Sequence, residues 1–416
     1  MKNVILLNNR SLHLYDFKEL KNNCDLRIST VVFDTAYNDL SNEVKESLDK
    51  IHILPDIASD QQKFPAFPED FLCSLIEKEQ AQFKDTWIVA ADELNNLTAS
   101  FLRNKYNLPG TTYPIILNYR DKTLQKNLLN QSGICIPRFM ALERKDFVGK
   151  IKSSYKQIVH TLNLPFIIKP NDMFGTIGVE KIKSYKQFCN YFNKFFHFSN
   201  FIVEEFIYGQ LYHYDFIIKK NEYIFTEVSE YLHNGLSFLE GYNHGSLLLA
   251  PDDPIRSSII EFCKKVNALL GIKSGCGHFE VFVTKEGEIV FLEAAARPAG
   301  SMVPLVFTRT FQKNYLNAAF LAEINENPGI FYEPIEYYFW SFFPRKLGII
   351  SSFNPPPLKS PYSVEWFIAI GDILYKPSSI AEKAGILLAK NKNYKVLKAD
   401  FYLLRNFMAV EVDKLS

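Results

Sequence analysis

The sequence has no C-x-x-C pair, no apolar run near the ~18 residues a membrane-crossing helix needs, and no excess charge of either sign. Its six cysteines, at positions 24, 73, 135, 189, 263 and 276, are scattered along the chain. That scatter argues against a disulfide frame or a zinc site and fits reduced thiols in a cytoplasmic protein. Lys plus Arg (47) nearly equals Asp plus Glu (46), so no global field favours nucleic acid or an anionic membrane. The first apolar stretch, "NVILL", is too short for a signal h-region and reads as a strand. No G-x-G-x-x-G turn follows it, which argues against a dinucleotide site there. Internal repeats and low-complexity tracts are also missing.

What is present is length and aromatic bulk. A chain of 416 residues exceeds one compact core and implies two or three domains. The 36 Phe and 22 Tyr imply well-filled cores and aromatic pocket walls. Over residues 1–112, "NVILL", "STVVF", "IHILP" and "TWIVAA" read as strands. "NDLSNEVKESLDK", "EDFLCSLIEKEQAQF" and "ADELNNLTASFLRNKY" read as helices, the last closed by Pro109-Gly110. Strands spaced by helices predict a parallel α/β domain. From 113 to 325 strands dominate and tight polar turns join them, predicting an antiparallel α+β domain. Residues 326–416 hold the exposed-looking "NPPPLKSP" and several short strands, including "YYFWSFFP", and predict a small β-rich C-terminal domain.

Three stretches carry candidate chemistry. In "GHFEVFVTKEGEIVFLEAAARPAGS", a turn at 285–288 puts Glu280 opposite Glu293 on one face of a hairpin. Opposed carboxylates repel. A shared proton, an arginine or a hard divalent cation would compensate; alternatively the register slips and one glutamate faces solvent. In "FIIKPNDMFGTIGV", Lys169 ends a strand before a loop with Gly175, Thr176 and Gly178, a composition that suits phosphate but also an ordinary loop. In "FIVEEFIYG", an apolar strand stops at Glu204-Glu205 and continues into Phe206 and Ile207, offering backbone edges between apolar walls.

Taken in order, "RDK", "IIKPNDMFGTIGV", "VEEFIYG", "GHFEVF" and "FLEAAARPAGS" resemble the ATP-grasp superfamily, in particular its carboxylate–amine (amino acid) ligase branch. The resemblance covers residues 85–325 well and the two ends more weakly. It implies a pre-grasp α/β domain (1–112), an ATP-grasp domain (113–325) with a lid at about 120–205, and a small β-rich end (326–416). It implies ATP and Mg²⁺ as cofactors. Lys122 and Lys169 look like the lysines on the nucleotide phosphates, and Gly175, Thr176 and Gly178 like the mobile loop over them. Glu204 and Glu205 look like the adenine-reading hinge, with Phe206 and Ile207 beside the base. Glu280 and Glu293 look like Mg²⁺ ligands, and Arg297 like the arginine near the transferred phosphate. His213 and Asp215 resemble a stretch that approaches the ribose in some branches.

Two positions depart from the family pattern. Leu211 stands where many members have an acid, an absence that Asp215 would cover. Ala295 stands where many have a metal-ligating asparagine, leaving the ion two glutamates and water. The implied activity is amide or peptide bond formation from small carboxylate and amine substrates, amino acids among them, through an acyl phosphate. Alternatives are transfer to a thiol, carboxylation, or non-catalytic nucleotide sensing. The loop 231–251, with His233 and His244, is the expected source of substrate specificity. Nucleic-acid and membrane partners are not expected, and a homodimer is left open.

Overall fold

The computed structural model describes residues 1–8, 11–56 and 66–414. Strands β1 (Lys2–Leu7), β2 (Leu26–Phe33), β3 (Lys50–Leu54) and β4 (Thr86–Ala90) form a parallel sheet in the order β3-β2-β1-β4. Near-continuous burial along β1 and β4 is what a sheet covered on both faces requires. The helical pattern expected over 38–50 forms only as the short helix Asn42–Ser47, after a separate helix Asp34–Asn38. Ser41 causes the break by accepting a hydrogen bond from the Val44 N–H and starting a new helix. The helices Glu69–Gln82 and Glu93–Tyr106 form as the sequence predicts, the second ending at Asn107 in the left-handed region.

A second four-stranded sheet, antiparallel, contains β5 (Phe139–Glu143), β6 (Phe166–Pro170), β7 (Glu180–Ile182) and β8 (Asn200–Glu205) in the order β5-β8-β6-β7. Its core is largely aromatic, with Phe147, Phe166, Phe188, Tyr191, Phe192 and Phe201 packed together. That cluster accounts for much of the phenylalanine wealth in this stretch of the chain.

The central sheet begins with β9 (Gly209–Lys219), β10 (Glu222–Tyr231), β11 (His244–Leu248), β12 (Gly275–Thr284) and β13 (Ile289–Ala295). Lys220 and Asn221 take positive φ values of 48° and 69°, the geometry of the tight turn that joins β9 to β10. The C-terminal strands are β14 (Tyr337–Pro344), β15 (Gly348–Phe353), β16 (Tyr362–Trp366), β17 (Ile373–Leu374), β18 (Lys383–Asn391) and β19 (Val410–Asp413). Three of them extend the central sheet, whose order is β13-β12-β9-β10-β11-β14-β18-β16, while β17-β15-β19 form a small sheet of their own. The β-rich end of the chain is thus continuous with the central sheet by backbone hydrogen bonds.

The helix Tyr315–Glu323 is buried along almost its whole length, as its "YLNAAFLA" composition demands. It sits in one apolar cluster with Val4, Leu6 and Trp87 of the parallel sheet and Ile217 and Cys276 of the central sheet. No helix among the described residues is long and apolar enough to cross a membrane, and all six cysteines are free thiols.

Candidate functional site

The site is built on the hairpin β12–β13. Its register pairs His278 with Ala295, Phe279 with Ala294 and Glu280 with Glu293, as the sequence predicts. The turn lies one residue away from its expected alignment, with Val283 rather than Thr284 opposite Ile289. A β-bulge at Leu292 absorbs the difference and restores the opposition of the two glutamates. The bulge has a partner, because Lys126 Nζ donates to the Leu292 carbonyl at 2.9 Å. Beside it, Gln125 clips the open edge of β13, donating to the Ala294 carbonyl and accepting from its N–H, both at 3.1 Å.

Gln125 and Lys126 lie on the helix Lys122–Gln131, three and four residues after Lys122 and on the same face. Anchoring that face on β13 directs Lys122 toward Glu293, whose Oε2 lies 3.9 Å from Lys122 Nζ. Lys169, near the end of β6, brings its ammonium 3.8 Å from the same oxygen and 3.0 Å from Glu204 Oε2. Lys126 reaches the other Glu204 oxygen at 3.1 Å, close enough for an ion pair though not angled for a hydrogen bond. Glu204 is 2% exposed. Burial alone would raise its pKa, but the two ammonium groups outweigh it and hold the carboxyl below its usual range. The Lys169 pKa is opposed by burial yet raised by Glu204 and Glu293, whereas burial dominates at Lys122 and lowers it.

These groups open onto a cleft of about 840 Å³, mouth included, between the aromatic-cored sheet and the hairpin. Lys122, Lys169, Gly175, Thr176, Glu204, Glu205, Phe206, Ile207, Glu280 and Glu293 all line it. Apolar walls come from Pro137, Ile167, Leu211, Phe282 and Leu292. The Glu205 carboxylate is occupied by Arg138, at 2.8 Å from its backbone N–H and 2.7 Å from its Nε. The polar groups that residues 205–207 offer the cleft are therefore backbone, in the link between β8 and β9. The loop 171–178 is tied at its base, where Asn171 Oδ1 accepts from the N–H and hydroxyl of Thr123, and Lys122 Nζ donates to the Met173 carbonyl at 2.6 Å. Gly175 and Thr176 take φ values of 62° and 66°. Thr176 sits so close to Gly235 that a Cβ there would overlap its methyl group.

Four expected residues lie elsewhere. Gly178 does not line the cleft; its φ is 70°, and a Cβ would come within 2.7 Å of the Pro170 ring, so sterics explain this glycine. His213 and Asp215 are fully buried and present no surface to a ribose, so Asp215 does not stand in for the acid missing at Leu211. They form a chain behind the hairpin, with His213 Nδ1 2.6 Å and His278 Nδ1 2.9 Å from the Asp215 carboxylate. Burial opposes the Asp215 charge, but the two imidazoles prevail and lower its pKa to about 2. His278 is correspondingly raised to about 9 against burial, by Asp215 and Glu280. Arg297 is turned out of the cleft; its Nε donates to Glu93 and one Nη to the Pro298 carbonyl at 2.8 Å. His233 and His244 spend their nitrogens on the carbonyls of Arg405 and His233, both at 3.0 Å. The loop carrying them reaches the cleft instead through Asn234, Gly235 and Leu236.

Sequence reading missed several participants. Lys126 was signalled by its position one turn after Lys122. His278 was signalled by the His-x-Glu alternation ahead of Glu280. Tyr231, whose hydroxyl donates to Glu280 at 3.0 Å, and Glu93 had no local signal. Arg120 belongs with them, because it acts electrostatically on Glu93 and Lys122 while one of its guanidinium nitrogens is buried without a hydrogen-bond partner.

The donor set fits a hard divalent cation. Two opposed carboxylates line the cleft beside two lysines, and Tyr231 and His278 orient the first of them. Residues 128–314 match the family described as D-ala D-ala ligase C-terminus. The chain is 25% identical over 279 residues to an L-arginine-specific L-amino acid ligase of Bacillus subtilis, covering 64% of this chain and 65% of that protein. It is 25% identical over 262 residues to an alanine–anticapsin ligase of Bacillus subtilis, covering 57% and 54%. The chain thus spans roughly half to two thirds of these relatives' length. Among solved structures, an L-amino acid ligase from Bacillus licheniformis superposes with a TM-score of 0.70 at 16% identity, over 100% of this chain and 99% of that one. An N5-carboxyaminoimidazole ribonucleotide synthetase from Thermotoga maritima does so at 0.66 and 15%, over 99% and 100%.

Proposed function

We propose that the chain belongs to the ATP-grasp superfamily and is an ATP-dependent carboxylate–amine ligase joining two amino acids, or an amino acid and another small amine. The observation that carries this reading is the convergence of Lys122, Lys169, the loop 171–178, the 205–207 backbone and the Glu280–Glu293 pair on one cleft.

A carboxylate is a poor electrophile because attack on it must expel oxide. In the proposed reaction a substrate carboxylate oxygen attacks the γ-phosphorus of ATP and ADP leaves, giving an acyl phosphate. The amine nitrogen then attacks the acyl carbon, inorganic phosphate leaves, and the amine's proton passes to solvent or phosphate. Positioning and charge neutralisation do most of this work. Lys122 and Lys169 neutralise phosphate oxygens, and both are buried enough for their charge to act in a low dielectric. Residues 205–207 supply backbone hydrogen-bonding groups to the base, with Phe206, Ile207 and Leu211 as apolar walls. Thr176, seated against Gly235, closes the loop over the phosphates and excludes water that would hydrolyse the acyl phosphate. Glu280 and Glu293 would hold Mg²⁺, which neutralises phosphate charge and aligns the transferred group when bound. Arg297, held by Glu93 outside the cleft, contributes a fixed positive charge behind the hairpin's end.

The test is a matrix of amino acid pairs assayed with ATP and Mg²⁺ for phosphate release, with products identified by mass spectrometry. The expected result is phosphate release that needs both a carboxylate and an amine and matches dipeptide formed. Hydroxylamine should trap the activated acid as a hydroxamate. Phosphate release indifferent to every acid and amine would overturn the reading.

A further inference from the structure

We propose that His278, through Nε2, is a third protein ligand to the divalent cation held by Glu280 and Glu293, supplying the donor that Ala295 lacks. The inference rests on the metal reading above. Register places His278 directly across from Ala295 and Glu280 across from Glu293, so these four positions share one face of the hairpin. Ala295 contributes a methyl group there, and the side chain facing it is the His278 imidazole, whose Nε2 becomes a donor once its proton leaves.

Geometry supports a shared ion. His278 Nε2 lies 3.7 Å from Glu280 Oε1, too far for a hydrogen bond. Ligand atoms about 2.1 Å from one ion, at right-angled to tetrahedral geometry, stand roughly 3.0–3.4 Å apart, so a shift of a few tenths of an ångström would suffice. The other ring nitrogen is already committed, since Nδ1 lies 2.9 Å from Asp215 Oδ1. A ligating histidine usually donates its second N–H to a carboxylate in this way, which fixes the ring and leaves the opposite nitrogen for the metal. Asp215 is itself fixed by His213 at 2.6 Å. Of the three, His213 and Asp215 are fully buried, whereas the His278 side chain is 12% exposed and stands beside Glu280, which lines the cleft. Glu293 leans toward Lys122 and Lys169 here, and would swing from them to complete the set. On ligation the Nε2 proton leaves to solvent.

A set of two carboxylates and one imidazole ranks Mn²⁺ and Co²⁺ above Mg²⁺, unlike an all-oxygen set. The competing location is the triad His213, Asp215 and His278, whose donor atoms lie within 4.8 Å of one another.

The experiment uses Mn²⁺ with ADP on the full chain, read by pulsed electron paramagnetic resonance, with ordinary and ¹⁵N-histidine-labelled protein. A nitrogen coupling that changes with the label in the wild type is expected. It should vanish in His278→Gln, with Mn²⁺ affinity falling at least about tenfold while ADP binding without metal is kept. Mn²⁺ bound in a manner lost in Glu280→Gln, but with no histidine coupling, would overturn the ligand claim and leave the metal reading standing. Coupling that survives in His278→Gln and vanishes in His213→Gln would put the ion in the buried triad and also overturn it. Mn²⁺ binding indifferent to Glu280→Gln and Glu293→Gln would overturn the metal reading together with the claim.

Discussion

The cleft and the joint behind it use the same charged residue types in opposite ways. In the cleft, Lys122 and Lys169 stop 3.9 and 3.8 Å short of the partly exposed Glu293, a loose set of charges around open space. In the joint, Arg297 closes on Glu93, Arg103 on Glu323, and the Asn96 amide on the Ala296 carbonyl. The cavity left among them is about half the size of the cleft, about 410 Å³ against 840 Å³ with both mouths included. The cleft holds charges that a substrate would complete; the joint has already completed its own. An arginine moved from the first setting to the second stops being a free anion receptor and becomes a fixed positive wall.

The largest expected effect breaks the cleft. Lys169→Ala should lower ATP-dependent phosphate release about 10²–10³-fold. It should also cost about 3 kcal/mol in a urea melt, because buried Glu204 keeps a single cation, Lys126. Next, Glu93→Gln breaks the joint while keeping its shape. We expect kcat to fall about 10²-fold with the KM for ATP unchanged, measured by steady-state kinetics, because Arg297 loses its orientation and the phosphate lysines do not. An equal rise in the KM for ATP would show that the two regions are not separate. Third, Gly235→Ala forces Thr176 and its loop to shift. The KM for ATP should rise several-fold, about 1 kcal/mol, with the melting temperature unchanged.

The smallest effect is a pH slope. His244, buried against Tyr231 beneath the site, has its pKa lowered by burial from 6.5 to about 4. The unfolded chain therefore takes up this proton first as pH falls. Stability should decline between pH 6.5 and about 4, by up to about 1.4 kcal/mol per unit from this group. His244→Gln should flatten that portion of a melting-temperature profile against pH; an unchanged slope would remove His244 as its source.

Alternation and turn chemistry made the strands, the hairpin and the cleft-lining set readable from the sequence. Even there the pairing of Glu280 with Glu293 survived a turn misaligned by one residue because the bulge at Leu292 compensates. Side-chain direction was less readable. Asp215 and His213 sit on the same strand as the cleft-lining Leu211, at alternating positions, yet the layer that buries them comes from strands and helices far along the chain. Arg297 left the cleft because of Glu93, 204 residues away, whose surroundings in "ADELNN" read simply as a helix start. Gly178 looked like a phosphate loop glycine because sequence does not distinguish room for a ligand from room for Pro170.

The joint also bears on how this chain could be recombined with its relatives. A graft of residues 128–314, the segment that matches the family, would carry Lys169, Glu204, Glu280, Glu293 and Arg297 into a new host. It would leave behind Glu93, Lys122 and Lys126. In the chimera Arg297 would be an unbalanced cation at a foreign seam, and Glu204 would have one counterion in place of two. The inheritable unit is therefore longer than the recognisable one, and it begins no later than Glu93.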